Sequence, residues 1–156
     1  MLEAIRNRMK DREQGFTLIE LMVVVLIIAI LVAIAIPTFL GARERAQDKS
    51  AQSDLRNALT AAKVLYTDTE SYVQTAAELE GVEPSLDFDD AVASSSTSVV
   101  GIVDAAAEIL FVRQSEAGDW FAIYENETTG TNSCSAGTQA AVDTVAECSA
   151  LANPWT

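Results

Sequence analysis

The 156-residue chain has no histidine, only two cysteines and three prolines. Without histidine, a histidine general base and a histidine-ligated metal site are both excluded. Ten basic residues oppose 23 acidic ones, and a net charge of −13 argues against direct binding to nucleic acid, which requires clustered lysine and arginine. No nucleophile–base pair, phosphate loop or metal cluster stands out, so we expect neither an enzyme nor a bound cofactor.

Polar residues are nearly absent from residues 16–40, and residues 21–36 have no polar side-chain atom at all. Only four residues of this stretch fall outside the apolar set: Thr17, Glu20, Pro37 and Thr38. A helix of this length would measure roughly 37 Å, which spans a hydrocarbon layer of roughly 30 Å. The four basic residues among residues 1–15 predict that this end stays cytoplasmic and that the rest of the chain lies outside.

Glu20 is the one charged residue inside the apolar stretch. A carboxylate costs about 2.5–3.5 kcal/mol near the centre of a bilayer on insertion scales, and less near its edge. An acid in a membrane-spanning segment therefore usually has a partner. The alternative is a glutamate that sits at headgroup depth, and its position alone favours neither reading.

The segment GFTLIELMVVVLIIAILVAIAIPTFLGARERAQ resembles the N-terminal signature of type IV prepilins. That signature is a basic leader ending in glycine (Gly15), then Phe16, a glutamate at the fifth position after the cut (Glu20), a long apolar run and a proline (Pro37). The resemblance covers about residues 1–63. It implies that a prepilin peptidase cuts between Gly15 and Phe16 and methylates the new amine of Phe16.

The resemblance also implies two successive locations for the processed subunit, first the membrane and then a filament. It would wait in membrane lipid as a single-span protein of the cytoplasmic membrane. An inner-membrane assembly platform and a cytoplasmic ATPase would then move it into an extracellular helical filament of copies of itself. Cutting would leave an ammonium group on Phe16 at the positive end of the helix dipole, where a cation is unfavourable. Glu20 one turn along could offset that charge and guide the register of subunit addition.

The helical pattern continues beyond the apolar stretch. Pro37 removes a backbone donor and Gly41 adds flexibility, which predicts a kink that either serves fibre packing or simply marks the membrane exit. From residue 41 to 66, apolar residues recur at spacings of three and four: Ala42, Ala46, Leu55, Ala58, Leu59, Ala62 and Tyr66. This stripe predicts an amphipathic continuation of one helix that runs from Phe16 to about Tyr66.

The remaining residues, 67–156, predict a small acidic head. Residues 64–156 hold sixteen acidic side chains and one basic one, Arg113. A short helix is expected over 76–80, a serine-rich linker over 94–98, and strands over 98–103, 108–114 and 119–125, the last two joined as a hairpin. The expected fold is therefore α+β: a long N-terminal helix, membrane-spanning and then amphipathic, packed on a small antiparallel sheet. Type IV pilins share this architecture.

Cys134 and Cys148 enclose 13 residues. Because the charge pattern places the head outside the cytoplasm, a disulfide is favoured over two unpaired thiols. A C-terminal disulfide loop is also common in the family that the N-terminus resembles. Two points stay open: calcium binding by the acidic loop at residues 83–90, and glycosylation at Asn126, the first residue of an N-x-T triplet.

Three functions remain in competition. The favoured one is a structural subunit of a type IV pilus that serves adhesion, motility or surface interaction. The second is the major pseudopilin of a type II secretion system, although Ser71-Tyr72-Val73 lacks the aromatic-proline step usual there. The third is a membrane-anchored binding module with an uncleaved leader.

Overall fold

The computed structural model describes residues 15–90, 99–105, 107–151 and 154–155. Most of the expected leader and the serine-rich linker over 94–98 lie outside the described residues. The chain forms two compact units, Met1–Gly41 and Ala42–Thr156. The elements in chain order are helix α1 Leu18–Thr69, helix α2 Ala76–Val82, strands β1 Asp87–Asp89, β2 Val99–Ala105, β3 Glu108–Gln114, β4 Trp120–Asn126 and β5 Gly130–Ala136, a 3-10 turn Gln139–Ala141 and helix α3 Val145–Ala150.

Helix α1 is 52 residues long and contains Pro37. It begins two residues after Phe16 and ends three residues beyond the expected Tyr66. The helix continues through both Pro37 and Gly41. Next to the proline, the hydroxyl of Thr38 donates a hydrogen bond to the carbonyl of Ile34 at 3.2 Å, a back-bond to the preceding turn that threonine forms within helices.

The second half of α1 packs on the sheet through small and branched side chains. Its buried apolar residues are Ala51, Leu55, Ala58, Leu59, Ala61 and Ala62. They form one core with β-strand residues such as Phe111 and Phe121. Most of the predicted stripe is confirmed, but its first two members are not part of the core. Ala42 and Ala46 are exposed because helix burial begins only at Ala51.

The five strands lie in sequence order, β1-β2-β3-β4-β5. Strands β2 to β5 are antiparallel, so the predicted α+β fold is confirmed. The predicted hairpin between β3 and β4 is also confirmed. Gly118 closes its turn with φ of 107°, a backbone conformation that glycine adopts without steric cost. The expected all-antiparallel sheet needs one correction, because β1 pairs with β2 in parallel.

Strands β1 and β5 and helix α3 were not predicted from the sequence. Strand β1 has only three residues, and β5, with the sequence GTNSCSA, has no alternation of large apolar side chains. Both strands form because they pair with a neighbouring strand, not because their own residues favour the extended conformation. Helix α3 lies in the chain that follows β5 and carries Cys148.

The sheet is covered on both faces. One face packs on α1, and the other forms a second core of Leu110, Val112, Trp120, Ala122 and Tyr124 with the C-terminal segment. The predicted disulfide is present, and it joins β5 to α3 by linking Cys134 and Cys148, both buried. The disulfide thus holds the C-terminal segment over the outer face of the sheet.

Two long-range contacts fix the helix on the sheet. Arg113 of β3 donates from Nη1 to Asp54 of α1 at 2.8 Å, with side chains 13% and 23% exposed. The Trp155 ring lies 5.0 Å from the Arg56 guanidinium and edge-on to Phe121. Its indole N–H donates to the carbonyls of Ala122 and Cys134, at 3.2 and 2.6 Å. Trp155 therefore links α1, β4 and β5.

Candidate functional site

The predicted cleavage point lies in non-helical backbone. Gly15, Phe16 and Thr17 precede the first turn of α1, and all three are exposed. The Phe16 side chain is 88% exposed. A protease needs an extended, accessible peptide, and a bond inside a helix would not provide one. Gly15 and Phe16 therefore lie outside the helix, at exposed positions.

Glu20 has a hydrogen-bonding partner at the residue just before its own helix, Thr17. Its Oε2 accepts from the backbone N–H of Thr17 at 2.9 Å and from the Thr17 hydroxyl at 2.7 Å. In return the Thr17 hydroxyl oxygen accepts from the Glu20 backbone N–H at 3.2 Å. Thr17 and Glu20 thus form a capping box, which satisfies backbone donors that the first turn of a helix leaves unpaired.

A threonine cap begins each of the two short helices of the head. Thr75 and Glu78 form a capping box on α2. At the start of α3, the Thr144 hydroxyl oxygen accepts from the backbone N–H of Glu147 at 3.1 Å. All three described α-helices therefore begin with Thr-x-x-Glu. This signature is present in the sequence, although the helix starts were not predicted from it.

These contacts shift the ionisation of the exposed head carboxyls. Hydrogen bonds from the Thr75 backbone and hydroxyl hold the pKa of Glu78 below its usual value. The Thr144 hydroxyl, and then Asp143, do the same for Glu147. The hydrogen bond that joins Asp143 to Glu147 raises the pKa of Asp143. The charged forms of Glu78 and Glu147 are therefore part of the folded head.

The apolar stretch offers no internal core. Eighteen large apolar side chains between Phe16 and Leu40 are 45–88% exposed. Of the described residues, α1 alone is long and apolar enough to cross a membrane, by length and composition. Burying a large aliphatic side chain contributes about 1.5–3 kcal/mol, so this half-exposed surface represents on the order of 20 kcal/mol of unrealised burial. Such a surface requires lipid or other protein chains around it.

The head holds little that suggests chemistry. No group of three or more candidate metal ligands occurs among the residues that the structure describes. In the acidic loop at residues 83–90, Asp90 accepts from the backbone N–H of Ala76 at 2.7 Å. Asn126 donates to Glu108 at 2.9 Å, and its side-chain oxygen accepts from the backbone N–H of Thr128. Both ends of the Asn126 amide are thus engaged in structural bonds.

Comparison with known proteins identifies the first part of the chain. Residues 10–36 match the family model of the prokaryotic N-terminal methylation motif. This match includes Gly15, Phe16 and Glu20. A long apolar helix that begins with this motif, followed by a sheet-bearing head, defines the class of pilin-like membrane proteins.

Similar proteins define the family more closely. The chain is 34% identical over 126 residues to the type IV wide pilus major component PilA4 of Thermus thermophilus, a match that covers 77% of this chain and 92% of that protein. It is 42% identical over 73 residues to the type IV major pilin PilA of Myxococcus xanthus, covering 47% of this chain and 33% of that one. The chain belongs to the type IV pilin family. The predicted family resemblance is confirmed.

Pseudopilins are also similar to this chain. The type II secretion system core protein G of Escherichia coli is 38% identical over 78 residues, covering 48% of this chain and 52% of that protein. No solved structure gives a significant match.

Proposed function

We propose that this chain is a structural subunit of an extracellular type IV pilus. The observation that carries the proposal is the exposed apolar surface of residues 16–40, next to an accessible bond between Gly15 and Phe16. Before assembly, lipid covers this surface, and the subunit spans the cytoplasmic membrane with its N-terminus inside. In the filament, the same surface packs against other copies of the chain. The subunit has no catalytic role.

Processing comes first in this proposal. A prepilin peptidase cuts after Gly15 and methylates the new amine of Phe16. Replacing Gly15 with leucine puts a large side chain at the cut and should leave the chain in the membrane as an uncut precursor. The measurement is the size of the chain in membrane and sheared-filament fractions. Normal filaments built from an uncut G15L chain would contradict the proposal.

Glu20 then guides assembly on the assembly platform. Its Oε2 accepts hydrogen bonds from Thr17, which holds the side chain in place. Because the residue is exposed, its carboxylate is still accessible to the Phe16 ammonium of a neighbouring copy. The capping box makes the test selective. Glutamine can replace glutamate in a capping box, so Glu20→Gln keeps the helix start and removes only the charge.

We expect Glu20→Gln subunits to insert and be cut normally but to form at least tenfold fewer filaments, measured by immunoblot of sheared material. Glu44→Gln is the matched control because Glu44 is an exposed carboxylate on the same helix outside the apolar stretch. Thr17→Val tests the converse, since it removes the cap and keeps the charge. Normal filament yield from Glu20→Gln, or an equal loss from Glu44→Gln, would refute the assembly role.

The second candidate is the major pseudopilin of a type II secretion system, and the similarity to core protein G favours it. The two functions differ in what a deletion of the gene removes. We expect loss of surface filaments, adhesion and motility with normal protein secretion. Loss of secretion with intact surface filaments would establish the pseudopilin instead.

A further inference from the structure

Positive charge in the head unit is concentrated on one face of helix α1. Six basic residues lie in the unit Ala42–Thr156, and four of them occur on this helix at Arg45, Lys49, Arg56 and Lys63. On a helix these four positions fall within about 40° of one another around the axis and extend over about 27 Å along it. All four side chains are exposed. We call these four residues the basic face of α1.

Most of this charge is not neutralised by the chain itself. Lys63 pairs with Glu125 at 2.9 Å, whereas Arg45, Lys49 and Arg56 form no ion pair within the described residues. Lys49 donates to the side-chain oxygen of Gln52 at 2.8 Å, and the Arg56 guanidinium lies over the Trp155 ring. Both of these partners are neutral. Three cations of the basic face are therefore available to an anionic surface of another molecule.

Part of the basic face runs beside one edge of the sheet. Strand β5 is the last strand in the sheet order and forms that edge. Lys63 donates from Nζ to the hydroxyl of Thr131 in β5 at 2.9 Å. Arg56 lies over Trp155, whose indole N–H donates to the carbonyl of Cys134 in the same strand. These contacts place the positive charge of α1 on the β5 side of the head.

The opposite edge of the sheet is acidic. Strand β1 forms this edge, and α2 adjoins it because the backbone N–H of Phe88 donates to Glu80 at 3.4 Å. Residues 64–112 contain no lysine or arginine. Four exposed carboxylates on α2 and on or next to β1 form what we call the acidic edge: Glu78, Glu80, Asp87 and Asp90. None of them pairs with a cation in the part of the chain that the structure describes.

The two charged patches cannot neutralise each other within one subunit. They flank opposite edges of a five-stranded sheet, and four strand spacings separate these edges by about 19 Å. Two different patches on opposite sides of one molecule form a heterologous contact, in which the first patch of one copy meets the second patch of the next. Contacts of this type repeat in one direction and build open helical assemblies.

We propose that the basic face of α1 in one subunit binds the acidic edge of a neighbouring subunit in the filament. Three unpaired cations then face four carboxylates, so each patch supplies the charge that the other lacks. The contact fixes which side of a subunit meets its neighbour, in addition to the packing of the apolar stretch. This inference rests on the proposed function, because a filament supplies the neighbouring copy.

A second copy fits the basic face better than a nucleic acid does. The processed subunit carries a net charge of −14, so a polyanion that approaches the basic face is repelled by the rest of the head. Two heads also repel each other, but at physiological ionic strength exposed charges more than about 8 Å apart are largely screened. The filament holds neighbouring copies at a high effective concentration, which favours the direct contacts between them.

Cross-linking can detect this contact directly. Residues 16–156 contain only two lysines, Lys49 and Lys63. A carbodiimide joins a lysine amine to a carboxylate without a spacer, so it reports only groups in direct contact. Sheared filaments are treated, dimers are isolated on a denaturing gel, and mass spectrometry of the digest identifies the joined residues. We expect Lys49 of one copy to be joined to a residue of the acidic edge.

The two lysines provide a matched pair of variants. Lys49→Gln should remove the cross-linked product. Lys63→Gln should retain it, because Lys63 already pairs with Glu125 in its own subunit.

Charge reversal measures what the contact contributes to assembly. Lys49→Glu should lower the yield of sheared filaments about tenfold, because like charges then face each other. Arg43→Glu is the matched control, since Arg43 is exposed and lies at least about 120° around the helix from the basic face. Replacing the acidic-edge residue that cross-links to Lys49 with lysine, in the same chain as Lys49→Glu, should restore the yield to within about twofold of the wild type.

The outcomes separate this inference from the proposed function. Cells that contain the chain in their membranes but lack filaments made of it contradict the proposed function and this interface together. Filaments in which Lys49 is joined to no acidic-edge residue, or equal losses from Lys49→Glu and Arg43→Glu, contradict only the interface. Filaments that bind duplex DNA in a manner lost in Lys49→Gln, without the cross-linked dimer, would show that the partner is a nucleic acid and that the inference is wrong.

Discussion

The ion pair between Arg113 and Asp54 gives the sharpest prediction about the stability of the head. Arg113 is the only basic residue of residues 64–156, and it pairs at 2.8 Å with a carboxylate on α1. Breaking a buried pair by removing one partner costs about 3–5 kcal/mol because a charge is left buried and alone. These side chains are 13% and 23% exposed, so solvent reduces the cost, and we expect about 2–3 kcal/mol for Arg113→Met.

The effect should be asymmetric between the two partners. Arg113→Met leaves Asp54 unpaired beside an acidic head, so its repulsion adds to the desolvation cost. Asp54→Asn leaves a side-chain carbonyl that still accepts from Arg113, and we expect about 1–2 kcal/mol. In the double variant no charge remains buried. Its loss of unfolding free energy should therefore be smaller than the sum of the two single losses by about 1 kcal/mol or more.

The assay is urea unfolding of the full chain in detergent micelles, followed by tryptophan fluorescence. Both tryptophans, Trp120 and Trp155, lie in the head and report its unfolding without a signal from the apolar stretch. The free energies of the wild type, the two single variants and the double variant form a mutant cycle. A coupling energy within about 0.3 kcal/mol of zero would refute the reasoning, because independent sites add to within that margin.

Three further predictions concern the head. Replacing Cys134 and Cys148 together with alanine should cost about 3 kcal/mol, the chain-entropy contribution of a loop of about 15 residues, measured in the same unfolding assay; an unchanged midpoint would contradict it. Trp155→Phe keeps an aromatic ring but removes the indole N–H, so it should lower the free energy of unfolding by about 1 kcal/mol. Trp155→Ala should lower it further, and equal stability of all three chains would show that the Trp155 contact does not stabilise the head. Because folding lowers the pKa of Glu78, its contribution is present above the unfolded pKa of about 4.3 and is lost as pH falls through the lower folded pKa. Lowering the pH from about 5 to about 3 should therefore reduce the free energy of unfolding more in the wild type than in Thr75→Val. Parallel pH profiles of the two chains would contradict this.

The N-terminal family motif could be predicted because its information is local, and residues 10–36 match the methylation-motif model. Gly15, Phe16 and Glu20 lie within six residues, and the run that follows needs only counting. The capping role of Glu20 was equally local, since Thr-x-x-Glu is a helix-start signature. A charge that could pair with another subunit does not reveal this role, because the first partner of Glu20 lies three residues away in the same chain.

The sheet shows where local information ends. Strands β3 and β4 carry enough β-branched and aromatic residues to be predicted, and their bounds agree with the structure to within one residue. Strand β5 has mostly small polar residues, and its pairing with β4 together with the buried Cys134 decides its conformation. The predicted burial of Ala42 and Ala46 was wrong for a different reason. A helical spacing of alanines does not show where along the helix the covering domain starts.

The contacts that join distant parts of the chain could not be predicted. Asp54 and Arg113 are far apart in the sequence. No charge pattern specifies which acidic residue faces Arg113 when sixteen others surround it in the head. The register of α1 on the sheet fixes that choice, and the register depends on the whole core.

The most direct test of the central claim is the intact mass and N-terminal sequence of the subunit in sheared surface filaments. If the chain is a processed pilin, the subunit begins at Phe16, is heavier by one methyl group on its amine, and is lighter by two hydrogen atoms because Cys134 and Cys148 are joined. A subunit that begins at Met1, or membranes that contain the chain while the cells lack filaments made of it, would contradict the assignment of this chain as a pilus subunit.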